Sequence, residues 1–208
     1  MNVDLASLSY EDLAHALYVK GKKDGFHKVT DKTKWREPVM AAKLGHSAHW
    51  KISAGANSDE YGSDAYDSVN DKMVEYKSAA LEDKAVRNLL QQNRSNGNRF
   101  APYTVCGVYN GAYNHEAIDK YASVNHCFGI FVEELCVLII NPNTTFVINQ
   151  LRNNLNKSET ERAKGKHKTT NLNTVAVNLV ADRDEYTVSY INKEWWEQQG
   201  GLFDYLIT

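Results

Sequence analysis

Between Gly62 and Ser78 the chain reads Gly-Ser-Asp64-Ala-Tyr-Asp67, then a polar stretch, then Met73-Val-Glu75-Tyr-Lys77-Ser78, and no other segment constrains the fold as much. A short β-forming run, a turn at Val69 to Lys72 and a second run from Met73 to Ala79 predict a hairpin or strand pair. Side chains two apart on a strand share a face, so Glu75 and Lys77 point one way together with Met73, while Val74 and Tyr76 take the other. A carboxylate and an ammonium in a largely apolar setting cost stability unless they are paired or bound to a metal.

Phosphodiester hydrolysis needs groups of this kind at one end of a sheet. Carboxylates hold a hard divalent cation that keeps several waters, and the cation offsets phosphate charge and lowers the pKa of an attacking water. Asp64 and Glu75 are the expected ligands, and Lys77 would orient or help deprotonate the water and stabilise the charge that develops. Asp67 reads either as a second carboxylate of the site or as a turn residue bonding its own backbone, with the turn reading preferred. The spacing Asp-x10-Glu-x-Lys alone also arises by chance, and the plain alternative is an exposed hairpin with an ordinary Glu75 and Lys77 pair.

The combined pattern resembles the PD-(D/E)xK nuclease superfamily, and among type II restriction endonucleases it is most like the compact PvuII-like enzymes. Their signature, Asn-Asp-Ala-Val-Asp followed by Glu-Leu-Lys-Ser, is close to Ser63 to Asp67 and Glu75 to Ser78. A fainter likeness runs through Tyr103 to Gly111, where the family has another core strand. The resemblance implies a restriction-endonuclease-like core of mixed β-sheet flanked by helices, with Asp64, Glu75 and Lys77 as catalytic residues and Mg2+ as cofactor. It also implies a homodimer that cuts double-stranded DNA at specific sites to 5′-phosphate and 3′-hydroxyl ends. By position Glu37 would be a further, helix-borne metal ligand, although it also reads as a first-turn acid favouring the helix dipole. Two rival functions are a structure-specific repair or junction nuclease of the same fold and a non-catalytic DNA-binding module.

The rest of the chain predicts an α/β (α+β) fold. At 208 residues, with 42% apolar and 24% charged residues, it suits one ordinary globular domain spanning 1–208, with a catalytic core at about 37–111. Helices are expected at Ser9 to Val19, with Ser9 and Asp12 forming a capping box, at Glu37 to Leu44, with Pro38 in its first turn and Gly45 ending it, at His115 to Tyr121, and from Thr144 or Thr145 through Leu155. Strands are expected at Tyr103 to Tyr109, Cys127 to Val132 and Leu135 to Ile140, with a late hairpin of Val175 to Val180 and Tyr186 to Ile191. Trp195 and Trp196 read as core or dimer-contact residues, and His46, His49, His115 and His126 as structural or surface histidines.

No signal peptide or membrane span is visible, and Cys106, Cys127 and Cys136 suit buried free thiols, so the cytoplasm is the expected location. A net charge of −2 means that any DNA contact must come from local basic patches. The two candidates are Lys20 to Arg36, with Lys32, Lys34 and Arg36, and Lys157 to Lys168, with Lys164, Lys166 and Lys168.

Overall fold

The computed structural model describes residues 7–23, 32–48, 63–81, 104–112, 114–165 and 173–198. The chain opens on helices α1 (Tyr10–Lys23) and α2 (Lys32–Leu44), then passes through β1 (Ser47–Ala48), the hairpin β2 (Ala65–Asp67) and β3 (Lys72–Ala80), and β4 (Thr104–Val108). The short helix α3 (His115–Asp119) continues as a 3-10 turn at Lys120–Ser123 and leads into β5 (Asn125–Val132), β6 (Leu135–Pro142) and the long helix α4 (Thr144–Ala163). β7 (Thr174–Asn178), β8 (Tyr186–Ile191) and α5 (Lys193–Gln198) follow. The expected mixed α/β class is the one observed.

Among the described residues, six strands form one sheet in the order β1-β2-β3-β5-β6-β8. The sheet is mixed, because β3 and β5 run parallel while their neighbours are antiparallel. On one face α2 packs Val39, Met40 and Ala41 against Val74, Tyr76, Cys127 and Ile139. On the other, Phe128, Ile130, Leu138 and Ile140 meet Val105, Val175 and Val177 and the α4 residues Val147, Leu151 and Leu155. Coverage from both sides explains why β5 and β6 read as nearly continuous apolar runs. Each aliphatic side chain so buried contributes roughly 1.5–3 kcal/mol, so these two clusters carry most of the stability.

Local signals held where they were short-range. Ser9 and Asp12 form the expected capping box, with the Asp12 amide donating to Ser9 Oγ at 3.1 Å and the Ser9 amide to Asp12 Oδ2 at 3.2 Å. Helix α1 nevertheless runs on to Lys23, and it buries Ala14 while leaving Leu17 43% exposed. Helix α2 begins at Lys32 rather than Glu37, so Pro38 lies inside it and not in its first turn. The ring costs the helix one hydrogen bond, and burial of this face of α2 against the sheet outweighs that loss. Asn143, not a threonine, precedes α4, and the Thr144 hydroxyl donates instead to the Val124 carbonyl at 3.2 Å.

The expected late hairpin does not form. β7 pairs with β4 in a separate antiparallel ribbon, and β8 pairs with β6 at the edge of the main sheet. The connection between them is too wide for a tight turn: Asn178 and Asp182 bond each other's backbone and a 3-10 turn at Arg183–Glu185 follows. The strand expected at Tyr103 to Tyr109 is thus β4, a member of the ribbon, and the neighbour of β3 in the main sheet is β5. Strand alternation also turns Cys106 outward, so only Cys127 and Cys136 are the buried thiols expected. Trp196 is buried and donates its indole N–H to the Val137 carbonyl at 2.8 Å, which makes it a core residue.

Candidate active site

The hairpin sorts its two aspartates by backbone geometry. Asp67 closes the turn: its Oδ1 accepts from the amides of Val69 and Asn70 at 3.0 and 3.2 Å, and its Oδ2 from the Asn70 side chain at 2.6 Å. These bonds, the one from the Asn70 side chain first, hold its carboxyl below the usual range. Asp64 stands just before β2 and bonds across to β3 twice. Its amide donates to the Val74 carbonyl at 2.9 Å, and its Oδ2 accepts the Tyr76 amide at 2.7 Å. The Asp64 carboxylate therefore lies against the peptide link that follows Glu75.

Strand β3 presents its residues as the alternation requires. Val74 and Tyr76 turn into the α2 cluster, while Ala79 packs with the opposite core. Glu75 and Lys77 share that opposite side and are in direct contact through Oε1 and Nζ, with side chains 11% and 16% exposed. A largely buried pair of this kind is compensated by mutual contact, and leaving either charge alone there would be costly. Above it passes the ribbon. A side chain at Gly107 would bring its Cβ within 2.8 Å of Lys77 Cγ and 2.7 Å of Phe128 Cζ, so only glycine admits the lysine stem. Two residues on, the buried Tyr109 ring lies 4.9 Å from Lys77 Nζ.

His126 completes the group. It pairs with Glu75 across β3 and β5, its Nδ1 lies 3.0 Å from the Tyr109 hydroxyl, and its Nε2 lies 3.1 Å from the Tyr121 carbonyl. Burial lowers its pKa to about 4, so the ring is neutral near pH 7. The same burial, reinforced by the charges of Glu75 and Asp64, pushes the Tyr109 hydroxyl far up. The structure thus gathers Asp64, Glu75 and Lys77 at one end of the sheet and adds Tyr109 and His126, which the motif did not include. The signal for Tyr109 was present: Gly107 and Tyr109 share parity on a strand, and a strand glycine marks a close approach.

No protein-family model matches the chain, and no curated protein matches its sequence.

The remaining candidates fall elsewhere. Glu37 lies on α2, on the Tyr76 side of the sheet, where burial first and nearby charges including that of Glu37 raise the Tyr76 hydroxyl pKa. Asp64, Glu75 and Glu37 do not gather as a three-ligand cluster, and no group of three His, Cys, Asp or Glu side chains does so among the described residues. Arg36 is buried, with its guanidinium 4.9 Å from the Phe131 ring, and is not presented to a phosphate. Lys164 is exposed just past the end of α4. Lys166 and Lys168 lie outside the described residues, as do the side chains of Lys32 and Lys34. His46, whose pKa burial lowers against the opposing charge of Asp67, lies with its Nδ1 2.8 Å from the Tyr76 hydroxyl.

Mg2+ keeps most of its waters and takes one or two protein carboxylates, the number that Asp64, set against the peptide after Glu75, and Glu75 itself would supply.

Proposed function

We propose that this chain is a Mg2+-dependent, site-specific endonuclease of double-stranded DNA with a restriction-endonuclease-like core. The observation that carries the reading is the Asp64 carboxylate set against the peptide after Glu75, with Lys77 touching Glu75 at the same end of the sheet. In this reading Asp64 and Glu75 would hold the ion, which supplies charge neutralisation at the phosphate and a more acidic water. Lys77 would orient the attacking water and meet the negative charge that builds up during in-line displacement. The products are a 5′-phosphate and a 3′-hydroxyl, and a homodimer matches the two-fold symmetry of a palindromic site. Cytoplasmic residence accords with the buried free thiols of Cys127 and Cys136.

The test is incubation of the purified protein with plasmid DNA at low salt, with magnesium and separately with chelator. Discrete fragments in magnesium alone are expected, and sequencing their ends gives the site. Cutting confined to branched or damaged duplex would transfer the assignment to a structure-specific nuclease; DNA bound but intact would transfer it to a binding module.

A further inference from the structure

Two aromatic side chains outside the acidic and basic motif are tied to it by contact. The Lys77 stem runs through the gap that Gly107 leaves between β3 and β4, and its ammonium comes to rest over the Tyr109 ring. A cation against a tyrosine face is attracted by the ring quadrupole, most strongly where water is excluded, and Tyr109 is fully buried. Packing alone does not set the ring. The Tyr121 carbonyl can only accept, so His126 Nε2 carries the proton toward it, and Nδ1 is left to accept the Tyr109 hydroxyl. Tyr109 is gripped further by the Tyr121 ring, edge-on at 5.1 Å.

We propose that Tyr109, locked by His126, is a positioning residue that holds the Lys77 ammonium at the Asp64 and Glu75 end of the sheet. This rests on the nuclease reading of that site. A lysine carries four flexible bonds, and ordering them during folding removes that cost from the moment of reaction. Tyr109 and His126 touch neither water nor phosphate in this scheme and act through Lys77 alone.

The experiment follows Lys77 itself in the full chain. The Tyr109 ring current should shift the Lys77 ε-methylene resonance upfield of the exposed lysines in a carbon–proton correlation spectrum, with Lys77→Arg assigning the peak. Tyr109→Leu should return the peak to the exposed-lysine position. Tyr109→Phe keeps the ring but loses the hydroxyl, and His126→Leu removes the ring nitrogen that accepts it. Each should move the peak part of the way, and the double variant no further, because both remove the same hydrogen bond between Tyr109 and position 126. In magnesium-dependent cutting, Tyr109→Phe should lower kcat about five- to ten-fold with DNA affinity unchanged. A peak and a kcat that stay put in folded Tyr109→Leu overturn the proposal. Should that variant fail to fold, a peak unmoved in both Tyr109→Phe and His126→Leu overturns it equally. A wild-type protein that cuts no DNA while its Lys77 peak behaves as expected refutes the nuclease reading and leaves the positioning contact standing.

Discussion

Asp64 and Asp67 flank one short strand, yet the hairpin gives them opposite surroundings. Asp67 is satisfied by the amides of its own turn, whereas Asp64 reaches across to the Tyr76 amide beside Glu75. Under the proposed function, Asp64→Asn should abolish cutting without unfolding the protein. Asp67→Asn should cost about 1 kcal/mol in urea denaturation and leave cutting in place; the reverse pattern would pass the ligand role to Asp67. Lys77→Ala should slow cutting by about a hundred- to ten-thousand-fold, read by single-turnover kinetics. His126 supplies a pH dependence of stability. Its folded-state pKa of about 4 lies below its ordinary 6.5, so between those values the unfolded chain binds the proton and the folded chain does not. Stability is therefore full above about pH 6.5 and falls, by up to about 3 kcal/mol, as the pH drops to 4. His46 shifts in the same direction, so the informative quantity is the difference between wild type and His126→Gln. That difference should shrink as the pH falls through the window, and an unchanged gap would refute the assignment.

At the scale of elements, α2 ends by a rule that its sequence states outright. Gly45 takes φ +69°, its amide reaches the Ala42 carbonyl at 3.4 Å and the His46 amide the Ala41 carbonyl at 2.9 Å, the pattern of a Schellman cap. Gly45→Ala should lower stability by about 1 kcal/mol in urea denaturation, and Gly45→Asn by less, since asparagine tolerates the left-handed region. Equal stability of all three chains would show that the cap contributes nothing. The start of α2 was not legible in the same way. Pro38 is compatible with a helix beginning at Glu37, and only the buried contacts of Arg36, Val39 and Met40 explain why the helix forms through it. β7 and β8 were legible as strands but not as members of different sheets. Alternation says which face of a strand is buried and says nothing of which neighbour buries it.

At the scale of the whole molecule, the main sheet separates two environments. α2 and the His46, Tyr76 and Asp67 group occupy one side, and the Glu75, Lys77, Tyr109 and His126 group lies on the other, under the ribbon. Among the described residues no helix is long and apolar enough to cross a membrane. If the protein cuts both strands of a palindromic site, sedimentation should reveal a particle of twice the 23.5 kDa chain mass, at least when DNA is bound. Cutting of both strands in one event by a monomer would overturn that expectation.

What the sequence determined by itself is what depends on near neighbours: the β2 and β3 hairpin, the capping box, the Gly45 stop, the two central strands and the shared face of Glu75 and Lys77. Those follow from local sterics and a period of two, which a single chain segment carries. The tertiary structure decided the rest. It chose β5 as the parallel partner of β3, drew Arg36 out of the basic patch and into the core, and laid Tyr109 over Lys77 through a gap that only Gly107 leaves. Each of these depends on segments far apart in the chain, whose meeting is set by the packing of whole faces rather than by the residues on either side.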